Sequence, residues 1–230
     1  MMEFIKNFFK RYTPFQVAMH IYGWSVLVIL IFQYFTNDLT ADPVQYLERR
    51  TGHHAVALLV MSLACTPLNT LFKWRELIKR RRALGLYGFM YATIHVLIYL
   101  HLDFGLAWSF ILQNFTQDPR LVVGLIALLL LIPLAWTSFD IWKKRLGKNW
   151  KRLHKAVYVI VPLVVLHFAW NKKGNIFTAQ GDVAQPLYYG VVVLVLLILR
   201  IPRVRKGIVS LRDRIKAQFQ KRKLNAETTS

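Results

Sequence analysis

The stretch Leu146-Gly-Lys-Asn-Trp-Lys-Arg-Leu-His154-Lys-Ala-Val-Tyr-Val-Ile-Val-Pro162-Leu-Val-Val-Leu-His167-Phe-Ala-Trp170 decides what kind of chain this is. A basic loop runs into an apolar segment with one histidine at its start and another near its end. His167 follows His154 by 13 positions, which at helical rise is roughly 20 Å along the segment axis. An imidazole that deep in hydrocarbon needs a partner, and ionisable groups inside a membrane mark function by default.

Outward from this segment the same pattern recurs. The chain has 230 residues, 55% of them hydrophobic, with a mean hydropathy of +0.35 and a net charge of +20. Six segments, at about 15–36, 53–71, 84–104, 120–139, 153–170 and 186–202, are long and apolar enough to cross a bilayer. The expected fold is therefore an all-α membrane protein, a six-transmembrane-helix bundle over 15–202. Residues 1–14 form an N-terminal tail and 203–230 a C-terminal one. The basic N-terminus resembles a signal peptide at first, but the apolar run behind it is too long for one and reads as a retained span.

Charge orients the bundle. Of the 31 lysines and arginines, 26 lie in the N-terminal tail, in 72–83, in 140–155 and from Arg200 onward. Those segments all fall on one side of the bundle, and the positive-inside rule places them, with both termini, in the cytoplasm. The same clustering between apolar runs argues against nucleic acid as the partner of so basic a chain. Beyond Pro202, Ile208, Leu211, Ile215 and Phe219 recur at helical spacing against a basic face, predicting an amphipathic helix on the anionic inner leaflet. Asn225 to Ser230 are expected to be disordered. The single cysteine, Cys65, excludes an internal disulfide, a CxxCH haem attachment and a four-cysteine cluster, and its apolar neighbours make it a packing residue. No GxGxxG or P-loop occurs, and no segment is long enough for a soluble flavin or nicotinamide domain. Electrons, if the chain moves them, must come from membrane quinol or a separate reductase.

Seven histidines are candidates for polar chemistry. His95 lies roughly 16 Å into the third span and His167 roughly 21 Å into the fifth, both counted from the inner edge. The two stand at similar depth on parallel, non-adjacent helices among apolar and aromatic residues. Either alone is explained by a hydrogen bond to a neighbouring helix. Together they equally suit axial ligation of haem iron, which needs lone pairs in a dry pocket. His154 lies low in the bundle and, on a straight helix, points to a different face from His167. With His20, the only other low-lying histidine, it forms a candidate second haem site; otherwise it bonds a haem propionate, a flavin or a quinone. His53, His54 and His101 read as interfacial residues in contact with water. Arg81 and Arg82 read as topology signals that can also neutralise propionates or a flavin phosphate. A rival reading is a transporter with proton- or metal-binding histidines, but its spans lack acidic residues apart from Asp103 and Asp140 near helix ends, and ion pathways usually need more.

Several motifs resemble a known family. They are Ala41-Asp-Pro-Val, Thr66-Pro-Leu, Arg81-Arg82-Ala-Leu-Gly-Leu, Ala92-Thr-Ile-His95, Leu146-Gly-Lys-Asn-Trp with Leu153-His154-Lys-Ala-Val-Tyr158, and His167-Phe-Ala-Trp170. Together these are similar to the MsrQ (YedZ) family, haem-binding membrane subunits of the periplasmic protein-methionine-sulfoxide reductase system, within the ferric-reductase-like transmembrane superfamily. The resemblance implies haem b held by His95 and His167, with His154 also required, and an FMN to which no residue is matched. It further implies a bacterial inner-membrane location and electrons drawn from the quinone pool or a cytosolic flavin reductase. Their acceptor would be a periplasmic molybdopterin enzyme, which carries out the reduction of methionine sulfoxide itself.

Overall fold

The computed structural model describes residues 12–171, 174–175, 180–181 and 183–228. Most of the N-terminal tail, Lys172, Lys173 and the last two residues lie outside the described part. Helix α1 spans Pro14–Phe35 and α2 spans Pro43–Phe72. Both open with proline at the first turn behind a side-chain cap: Thr13 accepts from the Gln16 amide and Asp42 from the Gln45 amide. Helix α3, Arg75–Ile98, continues into a π-type turn at Tyr99–Asp103. A short helix α4, Trp108–Gln117, precedes α5, Pro119–Trp136. Two short helices follow, α6 (Asp140–Leu146) and α7 (Lys148–Leu153), joined at Gly147, whose φ of +50° suits a residue without Cβ. A 3₁₀ turn, His154–Ala156, leads into α8, Val157–Trp170. A two-residue antiparallel pairing, β1 (Gly174–Asn175) with β2 (Gln180–Gly181), is followed by α9, Ala184–Ile198, and α10, Pro202–Thr228.

Five helical segments are long and apolar enough to cross a membrane, or six if α9 and the start of α10, bent by 80° at their junction, count as one span. Large apolar side chains such as Phe32, Leu129, Val159 and Leu194 are exposed on these helices. Water would not tolerate so many, so they face lipid, and the chain is a multi-pass membrane protein. The expected sixth span appears as α9, only about 22 Å long at helical rise.

Helix α2 is the axis of the bundle, lying against α3, α8 and α9 with α1 on its outer side. One core joins Leu63, Leu131, Ile160, Val161 and Val193 across α2, α5, α8 and α9. The other joins Met19, Leu58, Cys65, Leu84 and Tyr91 across α1, α2 and α3. The closeness of α2 and α3 depends on Gly88, where a Cβ would lie 2.8 Å from Leu59 Cγ. Pro67 inside α2 cannot donate to the Leu63 carbonyl. The Arg200 guanidinium, from the end of α9, donates to that carbonyl instead and also to the Tyr158 hydroxyl at 2.7 Å.

Three expectations are revised. The second helix begins at Pro43, ten residues before the apolar run at 53, so His53 and His54 lie inside a helix and not at its mouth. His54 is only 5% exposed and packs against Tyr22 and Tyr91, while His53 packs against Phe168 and Tyr189. The tail is helical through Thr228, which takes in Asn225 to Thr228 of the stretch expected to be disordered, while Thr229 and Ser230 lie outside the described residues.

Candidate functional site

His95 on α3 and His167 on α8 come together in the bundle. Their ring centroids are 6.4 Å apart with planes 72° to one another. Two imidazoles bound on opposite sides of one metal at about 2 Å would have centroids about 6.3 Å apart. Each ring uses its Nδ1 for a backbone carbonyl: His95 donates to Glu48 O at 3.0 Å and His167 to Arg120 O at 2.8 Å. A carbonyl only accepts, so Nδ1 carries the proton in both rings and Nε2 carries the lone pair. A metal-binding histidine is ordinarily prepared in this way. His95 Nε2 has no hydrogen bond among the described residues. The Asn171 amide lies 3.5 Å from His167 Nε2 but donates to His167 O at 2.7 Å. The pair therefore has the ring separation and the tautomers with which two histidines would hold one metal between them.

The other predicted residues stand elsewhere. His154, in the 3₁₀ turn, stacks on Trp150 at 4.1 Å and places Nε2 3.1 Å from Thr137 Oγ1. The Thr137 hydroxyl already donates to Pro133 O at 2.6 Å, so it accepts from His154, whose Nε2 is then protonated and has no lone pair to offer. Trp150 donates to Thr137 O at 2.8 Å, completing a polar knot where α5 meets α8. His20 bonds the Tyr87 hydroxyl through Nδ1 at 2.8 Å. His20 and His154 thus have separate partners, and among the described residues no ring contact joins them as one joins His95 to His167. Arg82 pairs with Asp140 at 2.8 Å, tying the start of α3 to α6, and Arg81 reaches Thr66 Oγ1 at 3.4 Å. His101 is exposed.

Residues 51–165 match the family model described as ferric reductase like transmembrane component. That match takes in His95 and His154 and stops two residues short of His167. A protein of Xanthomonas axonopodis pv. citri (strain 306) is 42% identical over 175 residues, 76% of each chain. The chain belongs to the MsrQ family. That relative is a protein-methionine-sulfoxide reductase heme-binding subunit MsrQ. Relatives of the same name are 44% identical in Xanthomonas campestris pv. campestris (strain 8004), over 70% of this chain and 71% of the relative, and 41% identical in Herminiimonas arsenicoxydans, over 72% and 74%.

Membership of the MsrQ family shows the membrane architecture but says nothing of what surrounds the histidine pair. The carbonyls of Glu48 and Arg120 were invisible in the sequence, since every residue has one. Two glycines beside them were visible, Gly52 on α2 and Gly124 on α5. A glycine inside a helix costs stability and often has a packing reason; Gly124 lies within an expected span and Gly52 one residue before another.

Proposed function

We propose that this chain is the haem b subunit of a protein-methionine-sulfoxide reductase system in a bacterial inner membrane. It passes electrons from the cytoplasmic side to a periplasmic molybdopterin enzyme that reduces methionine sulfoxide. The observation carrying this reading is the His95–His167 pair, with its two committed Nδ1 protons and its 6.4 Å separation, in a chain whose relatives are named as heme-binding subunits. Haem iron supplies the one-electron chemistry when bound. The residues of the chain would hold it: His95 and His167 offer their Nε2 lone pairs, and α2 and α5, whose carbonyls fix the two rings, tune the potential through those hydrogen bonds. We assign the axial pair to these two histidines alone, so the reading needs one haem. His154, with its Nε2 proton on Thr137, acts at the base of the bundle, where α5 meets α8.

Direction follows from charge. With the basic segments in the cytoplasm, the end of α8 that carries His167 is the outer one, so the histidine pair lies toward the periplasmic acceptor. Quinol or a cytosolic flavin reductase supplies the electrons from the other end. FMN has no residues assigned to it and is not required by this reading.

Reconstitution tests the proposal. Proteoliposomes containing the purified chain, with reduced quinone as donor and a periplasmic methionine-sulfoxide reductase outside, should reduce methionine sulfoxide. The rate should fall at least tenfold in His95→Ala or His167→Ala, while His20→Ala retains it. An undiminished rate in both ligand variants overturns the proposal.

A further inference from the structure

The two carbonyls that hold the imidazoles share a register with the two glycines beside them. Glu48 and Gly52 are four positions apart on α2, and Arg120 and Gly124 are four positions apart on α5. In a helix, the carbonyl of residue i points toward residue i+4. Each histidine therefore leans across one helical turn of a neighbour, its Nδ1–H on the carbonyl and its ring over the glycine. A Cβ at Gly124 would stand 2.7 Å from His167 Cε1 and 2.9 Å from its Nδ1. A Cβ at Gly52 would stand 3.2 Å from His95 Nδ1 and 3.3 Å from its Cε1. The device occurs twice, with α2 serving α3 and α5 serving α8.

We infer that Gly52 and Gly124, acting with the carbonyls of Glu48 and Arg120, are positioning residues that hold the two axial imidazoles crossed. This rests on the proposed haem at His95 and His167. A helix carbonyl cannot rotate, so an imidazole that donates to it has its tautomer and ring direction fixed. Two such anchors on different helices set the planes 72° apart. The same bonds make both ligands more basic and so favour ferric over ferrous iron. Gly124 is the more sensitive position, because a 2.7 Å approach forces the ring to move, whereas a neighbour 3.2 Å away need give only a few tenths of an ångström.

Electron paramagnetic resonance of the oxidised, haem-loaded protein reads this directly. Crossed axial rings give a low-spin ferric signal dominated by one highly anisotropic feature, whereas near-parallel rings give a rhombic three-line signal. The wild type should show the first, and a rhombic wild-type signal overturns the inference without any variant. Gly124→Ala should change the signal shape and raise the midpoint potential, with Gly52→Ala doing so less. Gly190→Ala, where a Cβ meets nothing within 4 Å, should change neither. Gly88→Ala strains α2 against α3 and should lower thermal stability without altering the signal of the haem that is retained. If Gly124→Ala keeps the wild-type signal and potential, the positioning role is wrong although the haem reading stands. If the wild type binds no haem, the haem reading itself fails.

Discussion

Asp118 shows how a residue outside the membrane reaches the site. It caps α5 by accepting from the Arg120 amide at 2.9 Å and also binds the Arg120 guanidinium, which holds its carboxyl below the usual carboxylate range. The Arg120 carbonyl is the one that fixes His167. Asp118→Ala should lower stability by about 1 kcal/mol through loss of the cap, seen as a lower midpoint in thermal unfolding. A depressed folded-state pKa gives a contribution that is present above the unfolded value and lost as pH falls through the folded one. The gap between wild type and Asp118→Ala should therefore narrow in acid, and a gap that stays constant from neutral to acidic buffer contradicts this role. At this scale the approach of His95 to His167 was legible and their anchors were not. Counting residues along two spans is enough to match the depth of His95 and His167, because helical rise is fixed. The Glu48 and Arg120 acceptors are main-chain atoms, and only the nearby glycines marked their place. The burial of His54 went unforeseen because the charged run Glu48-Arg49-Arg50 masked the first turns of its helix.

Among the elements, α2 carries most of the architecture and also has a break in its own hydrogen bonding at Pro67. Pro67 removes one helical donor, and Arg200 supplies a replacement from α9. Arg200→Ala should leave the Leu63 carbonyl unpaired and cost about 1–3 kcal/mol. In a Pro67→Ala background the restored amide takes that carbonyl, so the same Arg200 change should cost clearly less. Thermal unfolding of the four proteins measures the coupling, and equal costs in both backgrounds would show that Arg200 acts elsewhere. Hydropathy predicted five of the six expected spans, because lipid-facing positions must be apolar whatever the tertiary packing, and the sixth only if α9 and the start of α10 count as one. It missed α4, whose ten residues are too few for a span, and the early start of α2, where only Asp42-Pro43 marked the cap.

The whole molecule is a bundle in which 26 of the 31 lysines and arginines belong to the segments assigned to one side and the histidine pair lies toward the other. Arg212 ties α10 back to α2 by donating to Thr70 O at 2.6 Å, so the tail is joined to the bundle and is more than a free anchor. Leu211, Ile215 and Phe219 remain exposed along it, as a helix lying on a membrane surface requires. Native Cys65 is only 1% exposed and should not react with impermeant thiol reagents. A cysteine at Gln220 should then be labelled only from the cytoplasmic side and one at Asn114 only from the periplasmic side. The opposite pattern would invert the proposed direction of electron flow. The central claim, one haem b held between His95 and His167, is tested most directly by the visible spectrum of the purified protein before and after dithionite, with haem counted per chain. The wild type should show the sharp reduced α-band of bis-histidine haem b at one haem per chain, kept in His20→Ala and His154→Ala and lost in His95→Ala and His167→Ala. Full haem content in both of the last two variants would contradict it.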